Sequence, residues 1–389
     1  MKITLSAAVV AVLFLLTPLA VAADPVVSNI SAAQRVGTRL VDITYDVAAV
    51  FSTVEVSLAI SSDSGATYSV PAVTVSGEIG LGVAPGTGKV ITWDAGADWN
   101  KQYSTTMRFK VTANDQFALI PAGSFQMGNA MVADTDLGDT IRTVTVSAFR
   151  MARNLVTKAD WDTVRTWGLT HSYTDLSIGA GKAANHPVQT ITWYDMVKWC
   201  NARSEMEGLT PCYTLSGAVY RTTNSDVVVC NWAVNGYRLP TDAEWEKAAR
   251  GGLIGKRFPW GDSISQSLAN YYSNPTSCTY DDGPDGYNSI GRVGGAPYTS
   301  PVGSFPANGY GLYDMAGNVQ QRCWDWYGTY AAGAQTDPRG VASGSYRVFR
   351  GGNWSLQARS CRVAYCANYA FPPVSDYSIG FRIARSSVP

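Results

Sequence analysis

Seven cysteines and two histidines are the residues of this 389-residue chain best suited to nucleophilic attack or soft-metal binding. All seven cysteines lie between Cys200 and Cys366, and their odd number leaves at least one thiol unpaired within the chain. A thiol reacts or ligates as its thiolate, so each cysteine must be read as exposed, bridged or buried. His171 and His186 are too few for a three-histidine iron site, and neither stands at zinc-ligand spacing from a cysteine. His186 precedes Pro187 and reads as structural, although counting alone leaves a Ser-His-acid triad open. No glycine-rich loop precedes a helix in the phosphate-cradling pattern. Glu244 and Glu246 fall at a helix start, where capping accounts for Glu244 without acid–base chemistry.

Composition narrows the surroundings of these residues. Apolar content of 46% and charged content of 15% describe a globular chain, and 389 residues suffice for two domains with cores of their own. Lys+Arg and Asp+Glu both number 30, in no block of one sign, so nothing attracts nucleic acid or an anionic membrane surface. Residues 1–22 read as a signal peptide: Lys2, the apolar run Ala7–Leu16, then Ala20-Val21-Ala22 as a small-x-small cleavage pattern. The expectation is an exported protein, periplasmic or extracellular, with no membrane span after processing. Export permits disulfides. Cys212 with Cys230, flanking a short insertion, and Cys323 with Cys361 are the expected pairs, though spacing leaves the connectivity open.

The elements that must position any site divide near residue 115. Residues 23–114 alternate apolar and polar, as in Val41–Val47, Val54–Ile60 and Met107–Val111, with glycine-rich turns between. That pattern predicts a small all-β sandwich of immunoglobulin-like type, read as a spacer or adhesion module. From 115 to 389 the chain holds every tryptophan except Trp93 and Trp99. Thr157 with Asp160, Thr192 with Asp195 and Thr241 with Glu244 carry capping-box spacing and predict three helices. The first is expected to stop at Gly168 and the third at Gly251-Gly252. The long Gly/Asn/Pro/Tyr-rich stretch 261–311 needs cations, aromatic packing or disulfides to hold it.

A series of motifs in this second part carries a family resemblance. In order they are Phe125-Gln126-Met127-Gly128; His186-Pro187-Val188 with Ile191-Thr192-Trp193; Arg238 through Glu246; Pro259-Trp260-Gly261; Asn308 through Val319; Arg350-Gly351-Gly352; and Gly380-Phe381-Arg382. Over about residues 116–386 the chain resembles the formylglycine-generating enzymes, or sulfatase-modifying factors. The resemblance implies an α+β, loop-rich fold of C-type-lectin-like type. It also implies an oxidase that holds Cu(I) between two cysteines five residues apart and uses O2 on a substrate cysteine. Cys361 occupies the second cysteine position, but the first is Leu356, and Asn353 stands where that pocket has a serine. One thiolate and an isobutyl group do not make a linear two-thiolate copper site, so copper is not expected here. Two calcium sites follow from the same resemblance. Asn270 and Asp285 would give side-chain oxygens and Tyr271 and Tyr287 carbonyls to the first; Asp314, with the carbonyls of Gly317 and Val319 and the side chain of Gln321, would form the second. Gln321 stands in place of a family carboxylate, and Arg322 beside it adds positive charge.

The leading expectation is therefore a calcium-stabilised, non-catalytic binding module for carbohydrate or protein. Its expected ligand surface is Asn353–Asp376, with Trp354, Arg359, Arg362, Tyr365, Asn368 and Tyr369 as stacking and hydrogen-bonding groups. The alternative is a formylglycine-generating oxidase with Cys361 as its remaining catalytic cysteine.

Overall fold

The computed structural model describes residues 25–49, 54–131, 141–366 and 371–387. The signal-like segment 1–22, Asn368 and Tyr369 lie outside the described residues. The chain divides into two compact units, Met1–Asp115 and Gln116–Pro389.

The first unit is built from antiparallel strands in two sheets. One sheet orders Val26–Gln34, Leu40–Ala48, Gly86–Asp94 and Val75–Gly77; the other orders Gly80–Val83, Val54–Ser61 and Arg108–Asn114. Period-two alternation sends Ile43, Tyr45 and Val47 inward and leaves Asp42, Thr44 and Asp46 at the surface side. The inward set meets Val54, Val56, Ile91, Trp93 and Val111 in one apolar cluster, so both sheets share a core.

The second unit is strand-rich with few helices and much irregular chain. Its three longer helices, Lys158–Leu169, Trp193–Met206 and Asp242–Arg250, each begin with a reciprocal capping box from the threonine–acid pairs named above. The third ends on Gly251, at φ 57°, where a Cβ would press to 2.8 Å from Gly309 N. The first runs past the expected stop at Gly168 to Leu169 and closes on Thr170. Gly168 serves packing instead: a Cβ there would lie 3.2 Å from Tyr173 Cβ and 3.3 Å from Leu176 Cδ1.

Motifs far apart in sequence converge in a buried charged knot. Arg350 Nε donates to Asp242 Oδ1 at 2.5 Å, and its Nη1 lies 3.2 Å from Glu246 Oε2. Glu246 Oε1 also accepts from Arg250 Nη2 at 2.6 Å and from Gly128 N at 2.8 Å. Arg238 grips Glu244 with two parallel bonds of 2.6 and 2.7 Å. Asn308 Nδ2 donates to the carbonyls of Ala248 and Ala249 at the helix end, at 2.7 and 3.1 Å. Around this knot pack two apolar clusters. In the larger, Trp161 and Trp199 stack at 5.9 Å with Phe381 edge-on to both.

Among the described residues, which include all seven cysteines, no disulfide is closed. Cys212 and Cys230 do lie side by side: Tyr213 pairs with Cys230 across a short hairpin, and the two thiols hydrogen-bond. The expected Cys323–Cys361 bridge is not formed. Cys323 packs with Trp245, Met315 and Val363, whereas Cys361 packs with Phe258, Tyr271 and Cys278 in a separate cluster. Among the described residues, no helix is long and apolar enough to cross a membrane.

Candidate functional site

The strand Gln320–Trp326 pairs antiparallel with Arg347–Arg350 and parallel with Ile379–Gly380. The chain then leaves the sheet through Gly351 and Gly352, both in the left-handed region at φ 88° and 67°. A Cβ on Gly352 would sit 2.8 Å from Cys361 Sγ, so only glycine lets the backbone pass over that thiol. Asn353 builds the next turn: its Oδ1 accepts from Ser355 N and Oγ, both at 2.9 Å, and from Leu356 N at 3.1 Å. Its Nδ2 donates to Gln320 Oε1 at 3.2 Å.

Cys361 closes the short 3-10 turn Ala358–Cys361 and is fully buried. Burial, with the Asp281 carboxylate nearby, pushes its thiol far above the usual range, and the Gly317 N–H offsets only part of this. The group at Cys361 is a neutral thiol. The position five residues before it is the half-buried Leu356, whose carbonyl accepts from Tyr272 N at 3.0 Å. This donor set does not fit Cu(I), which needs two soft thiolates in line.

Oxygen donors gather beside this pocket. A backbone bridge between Asn270 and Gly317 brings the two expected calcium loops together, with Asn318 N donating to Asn270 O at 2.8 Å. Asn270 Nδ2 donates to Tyr298 O at 2.8 Å, while its Oδ1 is buried without a partner. An orphaned amide oxygen fits a hard cation. Tyr271 is buried in this loop; Asp285 and Tyr287 are exposed. In the second loop Asp314 and Asn318 take left-handed φ values of 52° and 63°, uncommon outside glycine. Burial raises the Asp314 carboxyl, whose Oδ2 accepts from Gly303 N at 2.8 Å. Val319 is buried.

Gln321 does not fit as a cation ligand. Its Oε1 accepts from Trp245 Nε1 at 2.8 Å and Arg382 Nε at 2.6 Å, and its Nε2 donates to Asp314 O at 2.8 Å. Both lone pairs of that amide oxygen are spent. Among the described residues, no group of three or more His, Cys, Asp or Glu could hold a metal ion.

The ring cluster is the feature the sequence hid. Trp354, 5% exposed, lies 5.2 Å from Tyr298, 5.7 Å from Tyr377 and 5.9 Å from Tyr287 between ring centroids. Tyr287 also meets Tyr272 at 4.8 Å and Tyr298 at 4.7 Å. Tyr287 and Tyr377 reach solvent at 37% and 54% exposure, while Trp354 Nε1 is buried without a partner. The stretch 261–311 shows its tyrosines plainly, but nothing in their spacing points them at Trp354 or joins them to Tyr377. Of the other expected ligand groups, Arg359 is exposed and Arg362 is buried, donating from Nε to Arg359 O at 2.7 Å. Tyr365 is half-buried against the larger core cluster.

Comparison with known proteins matches this arrangement. Residues 102–387 fit the model of the sulfatase-modifying factor enzyme 1-like domain, a span that begins before the strand Arg108–Asn114 of the first unit. The chain is 33% identical over 298 residues to the formylglycine-generating enzyme of Mus musculus, covering 69% of this chain and 75% of that one. It is 30% identical over 285 residues to the chaperone protein LppX of Paenibacillus barcinonensis, covering 71% and 91%. Among solved structures, Treponema denticola variable protein 1 superposes with a TM-score of 0.54 at 28% identity, over 71% of this chain and 96% of that one. The chain belongs to the sulfatase-modifying factor enzyme 1-like family.

Proposed function

We propose that this chain is an exported, calcium-stabilised binding module that keeps the family's fold without its copper oxidase chemistry. In this reading the second unit is C-type-lectin-like and the first is an immunoglobulin-like spacer. One observation carries it: beside a pocket with Leu356 and a neutral, buried Cys361, three tyrosine rings pack around Trp354, whose buried indole N–H has no partner. Rings with one polar handle suit a ligand that offers a flat apolar face and an acceptor oxygen, such as a sugar ring. Family relatives named as a chaperone and as a variable protein are consistent with binding roles.

Calcium, when bound, would tie together loops that few regular hydrogen-bond ladders hold. Asn270 and Asp285 with the carbonyls of Tyr271 and Tyr287 would hold one ion, and Asp314 with the carbonyls of Gly317 and Val319 a second. In an oxidising compartment Cys212 and Cys230 would bridge, adding a local clasp.

The test is a glycan-binding screen on the full chain with Tyr377→Ala and Tyr365→Ala alongside. Tyr377 is half exposed, so its loss should leave the fold intact and weaken binding roughly tenfold, the worth of one aromatic contact. Tyr365→Ala, at a half-buried ring packed on the core, should lower stability and leave affinity unchanged. Equal affinity in wild type and Tyr377→Ala would remove the ring cluster as the ligand site.

A further inference from the structure

Arg322 and Arg347 are buried arginines that lie outside the charged knot around Asp242. Arg322 lies in the strand Gln320–Trp326 and Arg347 begins its neighbour Arg347–Arg350; they are 0% and 1% exposed. In the knot around Asp242, each arginine meets a carboxylate. Here, among the described residues, neither guanidinium has one within salt-bridge distance.

Their other contacts hold the two heads in place without neutralising them. Arg347 lies between two indoles, 3.7 Å from the Trp193 ring and 3.5 Å from the Trp326 ring, and donates from Nη1 to Trp324 O at 2.5 Å. Arg322 lies 4.5 Å from the Phe349 ring, and its Nη2 donates to the carbonyls of Phe371 and Val374 at 3.2 and 2.6 Å. Arg322 Nε, Arg322 Nη1 and Arg347 Nε remain buried with no partner. Three orphaned cationic donors on two paired strands are rare in a folded interior.

The nearby acids do not fill the gap. Asp226 is exposed and accepts from Tyr194 Oη at 2.6 Å. Asp325 is buried and accepts from Asp242 N at 3.0 Å, and burial together with the neighbouring Asp242 raises its carboxyl well above the usual range, which favours its uncharged form. Burial and the field of Arg347 lower Arg322 to about 9, and burial lowers Arg347 likewise to about 9; both stay charged near neutrality.

We infer that Arg322 and Arg347 form a buried oxyanion site that takes a carboxylate, sulfate or phosphate group on their unmatched N–H donors. The oxyanion comes either as a small free anion or as an acidic side chain, and it supplies the counter-charge the fold omits. Guanidinium forks match such groups in shape as well as charge. The carbonyls of Phe371 and Val374 orient Arg322, and the Phe371–Tyr346 ring pair, 4.6 Å apart with Phe371 half exposed, lies on the solvent side. This site is independent of the ring cluster at Trp354.

The experiment is titration of the full chain with sodium sulfate at constant ionic strength, followed by melting temperature and by calorimetry. Wild type should show saturable binding with a rise in melting temperature; Arg322→Met, checked for intact near-ultraviolet dichroism, should bind at least about tenfold more weakly. No sulfate dependence in wild type, or equal dependence in the variant, would overturn the site. Should Arg322→Met fail to fold, bromide-soaked crystals of wild type decide it: an anomalous peak at the two guanidiniums is expected, and water alone there refutes the site. A blocked glutamate peptide competing with sulfate would assign the oxyanion to an acidic side chain; absence of competition assigns it to a free anion.

Discussion

The knot around Asp242 and the pocket around Cys361 are joined by three residues of backbone, yet the chain treats them oppositely. Arg350 anchors the knot, and two residues later Gly352 passes over the thiol. In the knot Arg350, Arg250 and Arg238 each meet a carboxylate, and the residues involved come from the motifs that mark the family. In the pocket the neighbouring positions are Leu356, Asn353 and Gln321, none of them charged: Asn353 bonds backbone and neutral side chains, and Gln321 bonds Trp245, Arg382 and the Asp314 carbonyl. The knot is tied by ion pairs that the fold needs, whereas the pocket, in the reading proposed above, need not keep the copper ligands for the chain to fold. Fold does not fix function, and this chain separates the two within one strand and its exit turn.

The contrast makes graded predictions. Arg350→Met takes the guanidinium from buried Asp242 and leaves Glu246 with Arg250 alone, and should cost about 3–5 kcal/mol by denaturant unfolding, because a buried pair is broken from one side. A loss below 1 kcal/mol would show that the knot is not what the fold depends on. Gln321→Ala leaves Trp245 Nε1, Arg382 Nε and Asp314 O unmatched, and should cost roughly 1–3 kcal/mol. If calcium affinity falls with it while stability holds, Gln321 is a ligand after all. Thr241→Ala removes one capping box at the knot and should cost about 1 kcal/mol, with no effect on ligand binding.

The smallest effect is a pH slope. Burial raises Asp314 above its unfolded value, so its contribution is fully present below the unfolded carboxylate range and is lost as pH rises through the folded value. Without calcium, wild type should therefore lose stability across that rise relative to Asp314→Asn. In the proposed second calcium site the ion would take the ionised carboxylate, so added calcium should abolish the loss; an identical slope with and without calcium would exclude Asp314 as a ligand.

Much of this was legible before the fold was known, for local reasons. Threonine and acid three residues apart specify a helix start through two reciprocal hydrogen bonds, and all three such pairs form. Gly251 reads as a terminator and is one, but Gly168 has the same appearance and is held by Tyr173 and Leu176. Leu356 announced that the copper pair was incomplete. The ring cluster was not legible, because the paired strands that carry Tyr272 and Tyr287 and the segments that carry Tyr298, Trp354 and Tyr377 are far apart in sequence and meet only through the path of the whole unit. Nor was the fate of Gln321, whose partners Trp245 and Arg382 lie 76 and 61 residues away in sequence. Cys361 and Cys323 likewise gave no sign that they would fall into different apolar clusters.

The most direct test of the central claim is Cu(I) titration of the purified, calcium-loaded protein under reducing conditions, with oxygen uptake followed on a cysteine-containing sulfatase peptide. Retained fold without the copper chemistry predicts no tight Cu(I) binding and no peptide-dependent oxygen consumption. Stoichiometric tight copper with turnover would contradict it, and would make Cys361 a working ligand despite its burial and the leucine at position 356.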